Sequence, residues 1–271
     1  MGSLLPPLPA QNHTYVRYLT QFNEKSFQHI RKVLAKDPHE PTEFPTGSVN
    51  VKSAWVEITG GLNGDNFHTV DGWIPSSDGH CRKTSFGLVG LHIAQKTPSR
   101  KRWIWSTFEH IWNAPLFDPQ CKAQEGPSVY TFNDQKCLPM PDKPQYENQP
   151  DSPPKTVFNV VRYKNSSQAA TDANKQYEKL LPGVWKNYEL VMTQWPLTEQ
   201  GSGAGPKATF FPDSTNSTAF ANASMETFFQ RFNDSTCMGC HEQTPSTDSA
   251  WSLGMVSSRR KLLEQAGRPV H

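Results

Sequence analysis

Near the C-terminus stand two cysteines and a histidine in the order Cys237-Met238-Gly239-Cys240-His241. Cys-x-x-Cys-His is the spacing of covalent haem attachment. On a helix, side chains three and four apart share one side. Both thiols can then meet the two vinyl groups of one porphyrin, while His241 reaches the iron as proximal ligand. Two other chemistries use paired cysteines. A thioredoxin-like redox pair needs a βαβ setting, which this near-terminal segment lacks. A structural zinc site needs further ligands at short spacing, and the remaining cysteines (Cys81, Cys121, Cys137) lie at least 100 residues upstream. The expected cofactor is one haem c, held covalently through Cys237 and Cys240.

The second axial position decides the chemistry. His or Met there gives six-coordinate iron suited to electron transfer, whereas an open side binds peroxide, oxygen or another small ligand. The candidates are His92, His110, Met225 and Met255, with the two histidines preferred because each sits in an apolar run. His13, His29, His39, His68, His80 and His271 fall in polar or loop-like stretches. Around His110 the strand period of two sets a choice. Ser106, Phe108 and His110 share one face; Trp105, Thr107 and Glu109 share the other. If His110 faces the haem, Glu109 points away. With the strand turned over, Glu109 becomes the polar group near the iron, where a carboxylate can serve as acid or base for bound peroxide. A surface or salt-bridged role for Glu109 is the plainer expectation.

The elements that must position these groups are legible in part. The apolar positions of residues 15–36 fit a helix, broken near Asn23 and ended by Asp37-Pro38. Residues 48–60, 85–94, 103–111, 157–163 and 188–194 read as strands, and residues 171–181 and 221–231 as helices. Residues 112–156 are a long Pro-rich excursion, in which Cys121 and Cys137 are the easiest disulfide pair by spacing. The expected fold class is α+β: a single domain with a β-rich centre, long Pro-rich loops and a C-terminal helical segment that attaches the haem. Residues 1–46 form an N-terminal lead-in and helix, and residues 47–271 the haem-c-binding domain on which that part packs.

Composition narrows the function. The 271 residues carry 35% hydrophobic and 19% charged side chains, enough for a sizeable core. A formal charge of +2 and only two short basic runs, Arg100-Lys101-Arg102 and Arg259-Arg260-Lys261, give no electrostatic footprint for nucleic acid. No apolar run approaches the roughly 20 residues that span a bilayer. Met1-Gly2-Ser3-Leu4-Leu5 lacks a basic n-region and an apolar h-region, so a leader is expected to be absent or replaced. Five Asn-x-Ser/Thr sequons, at Asn12, Asn165, Asn216, Asn222 and Asn233, read as accidents of an Asn-, Ser- and Thr-rich chain.

Four segments then carry a resemblance. Gly87-Leu88-Val89-Gly90-Leu91-His92, Trp103-Ile104-Trp105-Ser106-Thr107-Phe108-Glu109-His110, Trp185-Lys186-Asn187-Tyr188-Glu189-Leu190 and Met225-Glu226-Thr227-Phe228-Phe229-Gln230, followed by the haem motif, resemble bacterial proteins described as cytochrome c family proteins. The likeness runs from about Gly47 to His241, with Trp-x-Trp-Ser-Thr-Phe-Glu-His its distinctive part. It implies a periplasmic location, one covalent haem and His241 as axial ligand. It also marks His92 and Phe108-Glu109-His110 as haem-pocket candidates. Trp112 departs from the pattern, standing where a smaller polar residue is expected.

Two function classes follow. The first is a monohaem electron-transfer cytochrome with a redox partner protein. The second is a haem enzyme of peroxidase or oxygenase type acting on a small-molecule substrate, its distal pocket built by the large N-terminal region. A sensor or small-ligand binder is a third option. A bare carrier folds in about 100 residues, so the chain ahead of the motif must form a pocket, dock a partner or bind a substrate. No distal His-Arg pair is evident from spacing.

Overall fold

A computed structural model describes residues 8–36, 42–75, 78–118, 130–134, 154, 157, 159–163, 166, 168–196, 210–211, 221–229, 237, 241, 248 and 250. Among these, seven strands form one antiparallel sheet: β1 (Arg17–Phe22), β2 (Val49–Glu57), β3 (Thr69–Pro75), β4 (Cys81–Thr97), β5 (Arg100–His110), β6 (Tyr188–Pro196) and β7 (Phe210–Phe211). The order across the sheet is β1-β2-β4-β5-β6-β7, with β3 pairing the first half of β4. Two helices, α1 (Glu24–Ala35) and α2 (Gln168–Tyr177), complete a β-rich α+β fold.

β4 and β5 form the centre because their residues are apolar, β-branched or aromatic, and they are joined by a tight turn. The register places His92 opposite Thr107, Ala94 opposite Trp105 and Gly90 opposite Glu109. Those six residues therefore lie on one face. Residues 221–229, 237, 241, 248 and 250 pack on that face; we call them the C-terminal strap. Gly90 has a steric reason to be glycine: a Cβ there would run into Ser224 Oγ of the strap. Two apolar clusters sit around this face. One gathers Leu8, Val16, Val56, Val89, Phe132, Val160, Ala223 and Met225. The other gathers Phe44, Ala94, Trp103, Trp105 and Ala250, with Ile30, Val33 and Leu34 of α1 and Cys237 packed against them. Each large side chain buried here contributes about 1.5–3 kcal/mol.

The strands expected at 48–60, 85–94, 103–111 and 188–194 are present, with shifted ends. Three expectations need correction. The stretch read as a helix over 15–36 is strand β1 followed by α1. Asn23 separates them: its side chain accepts from Ser26 N at 3.0 Å as helix cap and from Val49 N at 3.1 Å, so the same amide starts the helix and ties it to β2. β1 lies within the stretch read as lead-in and is hydrogen-bonded along β2. The strand expected over 157–163 is an extended segment outside the sheet, where Val160 N bonds Phe132 O and Arg162 N bonds Pro115 O, both at 2.8 Å. The helix expected over 221–231 is a turn and a short 3-10 segment, Thr227–Phe229. There Asn222 satisfies the first amides itself, its Oδ1 accepting from Ser224 N at 3.0 Å, a local bond that competes with helix. β3 was not read, because Asp71, Gly72 and Pro75 interrupt its pattern.

Candidate functional site

Cys237 and His241 of the motif lie over the Trp105 face of β5. Cys237 and His241 are both helical and one turn apart, which puts them on the same side. Cys237 packs against the Phe44–Trp103–Trp105 cluster. The His241 ring lies 3.8 Å from the Trp105 ring, centroid to centroid, at 32°. Trp105 Nε1 is buried and meets no hydrogen-bond acceptor among the described residues. Cys240 and Met255 lie outside the described residues, as do Cys121 and Cys137; Cys81 is an exposed thiol at the start of β4. No group of three or more potential metal ligands occurs among the described residues.

Asp248 pins the chain after the motif. It is buried in a left-handed conformation at φ 52°. Its carboxylate lies 2.5 Å from Lys96 Nζ, both side chains 1% exposed, and accepts from Phe44 N at 3.0 Å. Its backbone oxygen accepts from Trp103 Nε1 at 2.9 Å. Burial pushes the Asp248 carboxyl up, against the pull of Lys96.

Glu109 lies on the same face and is fully buried. One oxygen is 2.9 Å from Arg162 Nε, and the other accepts from Ala223 N at 2.7 Å. Arg162 also holds Glu189 at 2.6 Å and donates to the backbone oxygens of His110 and Ile111. Burial, helped by Glu189, pushes the Glu109 carboxyl up to about 7 although Arg162 opposes it. Asn222 bridges Thr107 Oγ1 at 2.9 Å and Phe108 O at 2.8 Å, seating the strap beside it. Asn222 is 0% exposed, so this sequon has no surface to offer in the folded chain.

The two candidate histidines part company. His92 is on the strap face, its Nε2 3.1 Å from Glu226 Oε1, and Glu226 Oε2 accepts from Asn222 N at 2.9 Å. Burial raises the Glu226 carboxyl, but His92, Lys52 and the Asn222 amide together bring it below its ordinary range. His110 faces the other way. Its ring stacks on Phe67 at 4.3 Å and meets the edge of Tyr188 at 5.2 Å. Trp112 N donates to its Nδ1 at 3.1 Å, so the ring is protonated at Nε2, which donates to Asn66 O at 3.0 Å. Burial holds His110 down at about 4. The structure thus brings together Cys237, His241, Trp105, His92 and Glu109 on one face and leaves His110 on the other. Met225 is buried in the strap, against Gly90.

Sequence reasoning missed Arg162, Glu226 and the Lys96–Asp248 pair. Each is a charged residue whose partner is distant in the sequence, so only long-range packing pairs them. No protein-family model, curated protein or solved structure matches the chain.

Proposed function

We propose that the chain is a monohaem c-type cytochrome acting in electron transfer in the periplasm, with Cys237 and Cys240 holding the haem covalently and His241 its iron. The observation that carries this reading is the placing of Cys237 and His241 one helical turn apart against an aromatic wall. The donor set fits the group: thiol, imidazole, apolar surroundings, and a buried indole N–H without an acceptor among the described residues, which a haem carboxylate would satisfy. The haem would supply a one-electron couple, tuned by its burial and axial ligands. The protein's own residues do the rest. Trp105 orients the His241 ring, the Lys96–Asp248 pair holds the following chain down, and Glu109 with Arg162 fixes the preceding turn.

His92 is the better second ligand of the two histidines, because it shares the strap face and Glu226 orients its ring. A second reading, a haem enzyme of peroxidase or oxygenase type, is favoured by one observation. A fully buried carboxyl raised to about 7, Glu109, stands on that same face with Arg162 beside it, and such a group can give or take a proton near neutral pH.

The test is maturation of the full chain in a cell equipped for haem c attachment. The expected product keeps its Soret band through extraction with acidified organic solvent, and Cys237→Ala with Cys240→Ala loses it. A colourless product, or pigment that extracts, refutes the reading. Ferric spectra then separate the classes: low-spin iron that ignores cyanide and peroxide supports transfer, and high-spin iron that binds them supports catalysis.

A further inference from the structure

A line of aromatic rings leaves His241 and reaches the surface at α1. His241 is 3.8 Å from Trp105, Trp105 is 5.9 Å from Trp103, Trp103 is 5.3 Å from Phe44, and Phe44 is 4.6 Å from His29 of α1. Every step is ring contact through the protein interior. Phe44, Trp103 and Trp105 are 2%, 3% and 7% exposed, so water does not interrupt the line.

The line surfaces in a basic patch. Lys25 and Lys32 stand four before and three after His29 and are its neighbours on the helix surface; both are exposed, as is Lys36 at the C-cap. Within α1 only Glu24 opposes these charges. Three exposed lysines beside the half-buried His29 fit the low-area, electrostatically steered contact of transient redox pairs.

We propose that α1 is the docking face for an acidic one-electron carrier protein, and that Phe44, Trp103 and Trp105 bridge the electron from that face to the haem at His241. This rests on the cytochrome reading. One electron leaves the reduced carrier and converts ferric to ferrous iron; no proton or group travels with it. The rings act as close-packed bridging contacts and are not themselves oxidised.

The haem-loaded full chain tests both halves. As carrier, a reduced plant-type [2Fe–2S] ferredoxin serves: it is acidic and strongly reducing. Lys32→Glu with Lys36→Glu changes only exposed residues. It is expected to slow haem reduction by roughly tenfold or more at low ionic strength. The difference should shrink at high salt. For the route, a photoactive ruthenium complex is attached at Lys32→Cys in a chain with Cys81, Cys121 and Cys137 changed to Ser. A second chain keeps Lys32 and carries the label on Cys81, with Cys121 and Cys137 again changed to Ser. Trp103→Leu and Phe44→Leu are expected to slow flash-triggered transfer from position 32 by an order of magnitude and to leave transfer from position 81 unchanged. Equal slowing from both labels means structural damage and overturns the route. Rates that ignore the charge reversal overturn the docking face. A matured chain with no haem overturns the cytochrome reading and this inference with it, whereas the other failures occur in a coloured protein and leave that reading standing.

Discussion

Asp248→Asn isolates the charge that holds the strap after the Cys-x-x-Cys-His motif. Asparagine has nearly the same shape, tolerates the left-handed conformation that Asp248 adopts, and keeps an oxygen for Phe44 N. What it removes is the carboxylate 2.5 Å from Lys96 Nζ. Lys96 is then a buried ammonium that faces a neutral amide oxygen, with the backbone oxygen of Phe44 at 2.9 Å and Glu43 at 3.4 Å, the latter on a half-exposed side chain. Removing one partner of a buried ion pair costs about 3–5 kcal/mol. The retained oxygen and the Phe44 contact place the expected loss at the low end, about 3 kcal/mol. At about 2–4 °C per kcal/mol for a chain of this size, Tm falls by about 6–12 °C.

Thermal and urea unfolding followed by circular dichroism measures it. Trp103 and Trp105 fluorescence reports whether the strap has lifted. Lys96→Met with Asp248→Asn keeps the acceptor for Phe44 N and the left-handed turn but removes the ammonium, and most of the loss should return, because the penalty comes from the stranded charge rather than from the pair's net worth. A loss below about 1 kcal/mol for Asp248→Asn, or a double variant as unstable as the single, refutes this reasoning. Either result would mean that Lys96 finds water in solution and that the strap is held by apolar contact alone.

Other perturbations probe the rest of the face. His110 has its pKa lowered to about 4 from an ordinary 6.5, so its contribution is present above pH 6.5 and lost as pH falls toward 4. That loss is about 3 kcal/mol. His110→Phe should flatten this acid limb in urea titrations run at several pH values. Glu109 acts with the opposite sign: its raised carboxyl favours the folded chain below pH 4.5, and that advantage disappears as pH rises through about 7. Glu109→Gln should therefore remove a decline in stability toward neutral pH. Gly90→Ala drives a Cβ into Ser224 Oγ, at an expected cost of about 1–3 kcal/mol, and Ser224→Gly in the same chain should relieve much of it. In the haem-loaded protein, His92→Ala should change the ferric EPR spectrum and His110→Phe should leave it unaltered. The reverse pattern would move the second ligand to the other face.

The sequence was most informative where one local rule sufficed. The strand at residues 103–111 reads directly because apolar, β-branched and aromatic side chains crowd it, and its period of two fixes which residues share a face. The Cys-x-x-Cys-His motif is visible directly because it occupies five consecutive residues; the haem it would hold belongs to the proposal. β1 was hidden because Tyr18, Leu19 and Phe22 also suit a helix, and what makes them a strand is the partner β2 some 30 residues away. Residues 221–231 read as a helix by their apolar spacing, but Asn222 uses its side chain on the local backbone and on Thr107, and so turns the chain instead. Nothing local announced Arg162 as the cation that neutralises Glu109, since its position depends on a segment returning after a long excursion.

The division of the two histidines follows from the same geometry and bears on function. Thr107 and His110 stand three apart on one strand, so they point to opposite faces. The β4–β5 register then puts His92 beside Thr107, and so on the Trp105 side. That register could not be read from either strand alone, because it depends on what crosses the face they share. What settles it is Gly90 opposite Glu109: the glycine leaves room for Ser224, and the carboxylate accepts from Ala223, so both residues are needed where the strap crosses. Any slip by one residue would bury His110 under the strap and turn Glu109 and its charge away from Arg162. The pairing that satisfies the buried carboxylate is therefore also the one that gathers His92, Trp105 and His241 on one side of the sheet.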